Sequence, residues 1–151
     1  MHANDWAEEF NRRSAGSMIA DHGTVFREVT AERALLELAF KPTLAQMTGI
    51  FHAGAMIALA DEACTALSAA HAMREGGWDP AKFPLTVQLS ANLIRNTNHG
   101  MITAEAKPLH RGRTTMVVQT EVRDEDAKLL AVVTATLILP SPRAASDTKS
   151  G

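Results

Sequence analysis

Tyrosine is absent from these 151 residues, and two tryptophans with five phenylalanines complete the aromatic set. So few rings exclude a base-stacking platform for single-stranded nucleic acid. There is one cysteine, Cys64, so no intramolecular disulfide can form, which fits a reducing compartment. Neither charge sign dominates: 15 Lys and Arg against 17 Asp and Glu give a net charge of -2, which argues against nucleic acid as a partner. The first ten residues carry Asp5, Glu8 and Glu9 and have no apolar core, unlike a secretory signal. The expected location is therefore cytoplasmic. His71, His99 and His110 lack the spacing of metal ligands, so no metal is expected. Neither a phosphate-loop nor a dinucleotide glycine pattern is present. Ser68 has no Gly-x-Ser-x-Gly elbow around it.

What is present is an ordinary globular composition, 46% hydrophobic and 21% charged, in a chain that suits one domain over residues 1–140. The small polar end, residues 141–151, is expected to be a disordered tail. A short amphipathic helix is predicted over about residues 5–19, with Trp6 and Phe10 one turn apart. Ala53 to Met73 is the longest low-polarity run, long enough to cross a membrane. It holds Asp61 and Glu62 at its middle, however, and a charge at bilayer centre is costly. It therefore reads as a buried helix of a soluble domain, with no membrane as partner.

The rest is strand-like. Val25 to Phe40 is the first such stretch, stopped by Lys41-Pro42. Leu85 to Leu93 alternates strictly, Met101 to Ala106 less cleanly with a bulge or edge expected at Pro108, and Arg113 to Arg123 and Lys128 to Leu139 flank a turn at Asp124 to Ala127. One helix cannot shield both faces of such a sheet. The expected architecture is α+β, a curved antiparallel five-stranded sheet wrapped around one long central helix. Because that helix is apolar nearly all round, a second subunit is expected to cover the open flank.

A helical step of about 100° puts Thr65 and Ser68 on the same stripe as Asp61, together with Gly54, Ala58 and Ala72, all small. That stripe leaves room for something to approach a carboxylate. The competing interpretation is an acid facing solvent at a gap in the packing. Glu62 diverges from Asp61 by about 100°, so only one of the two acids is expected to face a substrate. At Phe51-His52-Ala53-Gly54 the chain enters the helix, and its first N–H groups lack intrahelical partners, which suits an oxygen gaining negative charge.

The segment His52-Ala53-Gly54-Ala55-Met56-Ile57-Ala58-Leu59-Ala60-Asp61 resembles the His-Gly-Gly-x4-Leu-x-Asp signature of hotdog-fold thioesterases. The nearest groups are the PaaI-like and Arthrobacter-type 4-hydroxybenzoyl-CoA thioesterases. Leu85 to Asn96 resembles the family's second strand, and His110-Arg111-Gly112-Arg113 its basic turn. Asp124 to Leu130, leading into Thr134 to Leu139, resembles its closing hairpin. The resemblance spans roughly residues 25–140.

By that resemblance, Asp61 takes the place of the catalytic acid and Ala53 supplies the N–H that polarises the thioester carbonyl. Gln46 positions water or the thioester, while Thr65 and Thr86 support the attacking group. His52 and Gly54 lie beside the site. Arg95 and Asn96, with Arg111, Gly112, Arg113 and Thr114, would hold the nucleotide and pantetheine of coenzyme A. The family's acid and carbonyl-polarising amide come from different subunits, implying a homodimer, assembling further to a homotetramer. Two positions depart from the pattern: Ala53 stands for glycine, and Glu62 adds a second acid. The implied activity is hydrolysis of an acyl- or aryl-CoA thioester, with no cofactor beyond the coenzyme A of the substrate. Two alternatives are a non-catalytic acyl-CoA sensor or carrier and a hotdog hydratase, the latter lacking its Asp-x-Asn-x-x-His arrangement here. The acyl pocket is expected to draw on Met56, Ile57 and Leu59, and the acyl group itself is not readable.

Overall fold

The computed structural model describes residues 2–141; most of the expected tail, from residue 142, lies outside the described residues. The N-terminal region forms two helices, α1 (Ala3–Arg13) and α2 (Met18–His22), where one was expected. The break has local causes. The Ser14 hydroxyl donates to Phe10 O at 2.7 Å, drawing a helical carbonyl into a terminating bond, and Gly16 takes a positive φ of 78°. Gly23, at φ 91°, ends α2 in the left-handed conformation common at helix C-termini.

The sheet has six strands rather than five. The expected first strand is a hairpin of β1 (Val25–Val29) and β2 (Ala34–Ala39). Thr30 makes the turn: its hydroxyl accepts from the N–H groups of Glu32 and Arg33 and donates to Arg33 O, so a hydroxyl four residues before Ala34 folds what periodicity read as one extended run. A 3-10 turn at Pro42–Leu44 leads to the central helix α3 (Ala53–Ala72). Then come β3 (Leu85–Leu93), β4 (Met101–Arg111), β5 (Thr115–Arg123) and β6 (Leu129–Ile138). All pairings are antiparallel, in the order β1-β2-β4-β5-β6-β3. β4 continues through Pro108, with a register shift between Pro108 and His110 of the kind expected there.

α3 lies in the concave side of this sheet. It is apolar and long enough to pass for a membrane span, yet most of it is buried against the strands. Met56, Leu59 and Leu67 pack among Leu36, Leu38, Ile102, Met116, Val118 and Leu137, all essentially without solvent exposure. Each large side chain so buried contributes about 1.5–3 kcal/mol. The alanines at positions 60, 63, 66, 69 and 70 keep the helix thin, so the sheet curves close around it. α1 lies on β1 through Trp6, Ala7 and Phe10, with the Phe10 and Phe26 ring centroids 5.1 Å apart. That helix covers one end of the sheet.

The other end is different. β3 pairs only with β6, and its second edge has no neighbour among the described residues. Leu85, Val87, Leu89 and Leu93 remain 38–58% exposed. The unpaired edge and the uncovered apolar residues occur on the strand that carries one of the site's side chains.

Candidate active site

The fold places Asp61 two turns into α3, in the wall of a cavity of about 520 Å³. Its neighbours there include Gly54, Ala58 and Thr65 from the same helix face, confirming that part of the small-residue stripe. Ser68 and Ala72 do not line this cavity. Ser68 is fully buried, because by the next turn the sheet has closed over the helix. Opposite α3, Leu85, Thr86 and Leu89 of β3 form the second wall.

The Thr86 hydroxyl donates to Asp61 Oδ1 at 2.7 Å, a short bond to an anionic acceptor. Strict alternation would have put Leu85, Val87 and Leu89 on one face and Thr86 on the other. A register shift between Thr86 and Gln88 breaks this: Thr86 sits across from Leu137, Leu89 across from Ala135, and both partners are buried. The extra residue thus lets Thr86 and Leu89 face the helix together. A sheet bulge aims the hydroxyl that orients Asp61.

The third wall was not legible in the sequence. Phe10 of α1, Met18 and Ile19 of α2, and Phe26 of β1 close the cavity from the N-terminal side. The spacing of Trp6 and Phe10 announced a buried face without saying what it was buried against. Of the apolar residues expected to line the pocket, Ile57 does so. Met56 and Leu59 point into the core instead, each 1% exposed, since they sit on the helix face turned to the sheet.

Glu62 also lines this cavity, so both adjacent acids reach it, contrary to the expectation for one. The cavity is wide enough around α3 to span the 100° between them. Glu62 is 91% buried, given 9% exposure, and neither of its carboxylate oxygens has a hydrogen-bond partner. Burial, reinforced by the Asp61 charge, pushes its carboxyl up to about 7, against the opposing pull of the Thr24 hydroxyl. That hydroxyl lies outside hydrogen-bond geometry and is likewise unpartnered.

The start of α3 is built around His52. Its Nδ1 accepts from the Gly54 N–H at 2.8 Å, capping the helix. A side chain at Gly54 would displace the His52 ring: an added Cβ would lie 2.9 Å from that same Nδ1. Ala53, at the first helical position, keeps an N–H that has no acceptor within the helix. Its φ is not positive, so alanine meets no backbone penalty there. Asn96 supports this entry, its side-chain amide donating to Phe51 O at 2.8 Å, while the Phe51 N–H donates to Thr97 O at 3.1 Å.

Other expected site residues lie elsewhere on the chain. The Gln46 side chain folds over its own loop, bonding the Thr48 hydroxyl and accepting the Thr48 N–H at 3.1 Å, and it does not line the Asp61 cavity. Arg95 and Asn96 line a cavity of about 460 Å³ shared with Asp124, Glu125 and Asp126. Arg111, Gly112 and Arg113 line a different one, also about 460 Å³, with His71, Arg74 and Lys82 near the C-terminal end of α3. Burial and then the Arg74 and Arg111 charges lower the His71 pKa. The two groups of arginines flank opposite ends of β6, so one chain alone does not bring them together. Thr114 lies in the same β4–β5 turn, its carbonyl accepting from Leu139 N–H at 2.8 Å. Cys64 is core: its Sγ lies 3.1 Å from Thr120 Oγ1, and burial pushes the thiol up to about 12. No cluster of three metal-ligating side chains occurs among the described residues.

Comparison with known proteins agrees with this architecture. Residues 48–131 match the model of the thioesterase superfamily. A 1,4-dihydroxy-2-naphthoyl-CoA hydrolase of Listeria monocytogenes is 26% identical over 111 residues, 74% of this chain and 85% of that one. A thioesterase of Haemophilus influenzae superposes with a TM-score of 0.81 at 22% identity, over 93% of this chain and 94% of that one. A mutant thioesterase from Pseudomonas aeruginosa does so with a TM-score of 0.79 at 23% identity, over 89% and 94%. These likenesses fix the fold as the hotdog fold. The chain belongs to the thioesterase superfamily, and its enzyme class is thioester hydrolase.

Proposed function

We propose that the protein hydrolyses the thioester of an acyl- or aryl-CoA to the free acid and coenzyme A, at a site assembled between two copies of the chain. The observation that carries this reading is the Asp61 carboxylate, held by Thr86 in the wall of a largely apolar cavity. A related CoA-thioester hydrolase at 26% identity supports coenzyme A as the leaving group.

Asp61 acts on the thioester carbonyl in one of two ways. Its carboxylate adds to the carbonyl carbon and expels the CoA thiolate, leaving an anhydride that water opens. Alternatively, it takes a proton from water as the hydroxide adds, and the thiolate leaves. In both, the Ala53 N–H of the second copy stabilises the developing oxyanion, Thr86 and Thr65 orient the attacking group, and Gln46, on the loop before α3, acts from the second copy's helix start.

Helix geometry argues that two chains are needed. Ala53 and Asp61 are eight residues apart, about 12 Å along α3 at ~1.5 Å per residue. No single carbonyl touches both ends of that distance, whereas the helix start of a second copy can meet Asp61 of the first. The unpaired edge of β3 beside Thr86 supports a homodimer, and the family resemblance alone suggests that two such dimers form a tetramer. The cationic cavity of Arg111, Arg113, Arg74 and Lys82 suits the phosphates of coenzyme A. The Arg95 cavity, with three acids in its wall, suits them less. A location in the cytoplasm accords with the single buried thiol.

Asp61→Asn tests the reading. The amide is close to isosteric but neither attacks nor accepts the proton. The expected result is loss of thiol release from acyl-CoA with the circular dichroism spectrum unchanged. Full activity in that variant refutes the assignment, and wild-type protein that binds acyl-CoA without releasing thiol would identify a carrier or sensor.

A further inference from the structure

Glu62 takes no part in the mechanism above, and its setting is costly. A buried polar group without a hydrogen bond costs about 1–3 kcal/mol, more for a charged one. Here three such atoms gather in one place: Glu62 Oε1, Glu62 Oε2 and Thr24 Oγ1. They lie at the junction of α2, β1 and α3, in and just beneath the cavity wall formed by Phe10, Met18, Ile19 and Phe26. Asp61 and Thr86 mark the other side of the same cavity.

Resting on the acyl-CoA reading, we propose that Glu62, backed by Thr24, determines acyl specificity by hydrogen bonding an oxygen substituent, a hydroxyl or carbonyl, within a few bonds of the thioester carbonyl. An acyl group whose carbonyl meets Asp61 extends along the apolar wall towards α2 and passes Glu62. Only the Thr24 hydroxyl bears on the Glu62 carboxyl, from outside hydrogen-bond geometry, so one oxygen can turn into the cavity while the other stays beside Thr24. A carboxyl that exchanges its proton near neutral pH serves either partner: protonated it donates to a carbonyl, ionised it accepts from a hydroxyl. A plain hydrocarbon group fills the same space and offers the Glu62 carboxyl no partner. Sites built to hydrogen bond a substrate oxygen discriminate strongly against the analogue that lacks it.

The test uses matched CoA thioesters: butanoyl and 3-hydroxybutanoyl, hexanoyl and 5-hydroxyhexanoyl, benzoyl and 3-hydroxybenzoyl. The readout is the ratio of kcat/KM within each pair, for wild type, Glu62→Gln and Glu62→Leu. The expected result is a wild-type preference of about ten-fold or more for the oxygenated member of at least one pair. Glu62→Leu should bring that ratio near or below one, and Glu62→Gln, which still hydrogen bonds, should keep part of it. An unchanged ratio in Glu62→Leu, or a wild type that prefers the hydrocarbon in every pair, overturns the proposal while leaving the thioesterase reading intact. If the wild type turns over no member of any pair, both fall. Should one variant fail to fold, the other still reports the ratio.

Discussion

Replacing Glu62 by glutamine should change how stability depends on pH, by an amount the structure sets. In the folded chain burial, reinforced by the Asp61 charge and opposed by Thr24, raises the carboxyl from an ordinary 4.5 to about 7. Each pH unit between folded and unfolded values corresponds to about 1.4 kcal/mol, so the whole difference corresponds to roughly 3 kcal/mol. The sign follows from which state holds the proton. Below pH 4.5 the group is protonated in both states and favours neither. Between 4.5 and 7 the unfolded chain ionises while the folded chain keeps its proton, so folding stability falls as pH rises. Above about 7 both states are ionised and the loss is complete. Glutamine has the same shape and never ionises. Urea unfolding of wild type and Glu62→Gln, at one protein concentration and at several pH values from 4.5 to 8.5, isolates Glu62 and its coupling to Asp61, because titrating groups remote from them cancel in the difference. The stability advantage of the variant should grow by roughly 3 kcal/mol across that window and then level off. A difference that stays flat over the range would refute both the burial argument and the unpartnered state of this carboxyl.

Thr86→Val removes the donor to Asp61 with little change in volume; a hydrogen bond to a charged group contributes about 1.5–3 kcal/mol, so kcat should fall roughly ten- to a hundred-fold and the melting temperature should drop by several degrees. Gly54→Ala drives a methyl into His52 Nδ1, so the helix cap should be lost at about 1 kcal/mol, read by thermal unfolding, with reduced turnover because the Ala53 N–H shares that first turn. Ala91→Pro on β3 removes an N–H that faces the unpaired edge, since the Ile94 N–H bonds Leu130 O and every second residue before it turns its N–H to β6; sedimentation should then report monomer in place of dimer together with loss of thiol release, and a dimer that persists with full activity contradicts a site shared through this edge.

The sequence by itself determined the long central helix, the order of the later strands and the position of Asp61. Those depend on local rules: apolar residues at helical or alternating spacing, glycines that end a helix, and a carboxylate on a stripe of small neighbours. The Thr30 turn that splits β1 from β2 was missed because one hydroxyl in an otherwise extended pattern carries little weight in a periodicity reading. Only the tertiary structure decided what surrounds Asp61. Thr86 reaches it through a bulge that moves one residue across the sheet, and no pattern of alternating side chains announces an added residue. Phe10, Met18 and Ile19 come from elements more than forty residues earlier in the chain, brought over the cavity by packing on β1. The helical step turns Glu62 away from the acid expected to face a substrate, and it is nonetheless buried in the cavity wall because those helices fold over it. Periodicity fixes which face of an element is buried, since that depends on its own residues. What lies against that face depends on contacts between distant segments, and it is there that the chemistry of this cavity was settled.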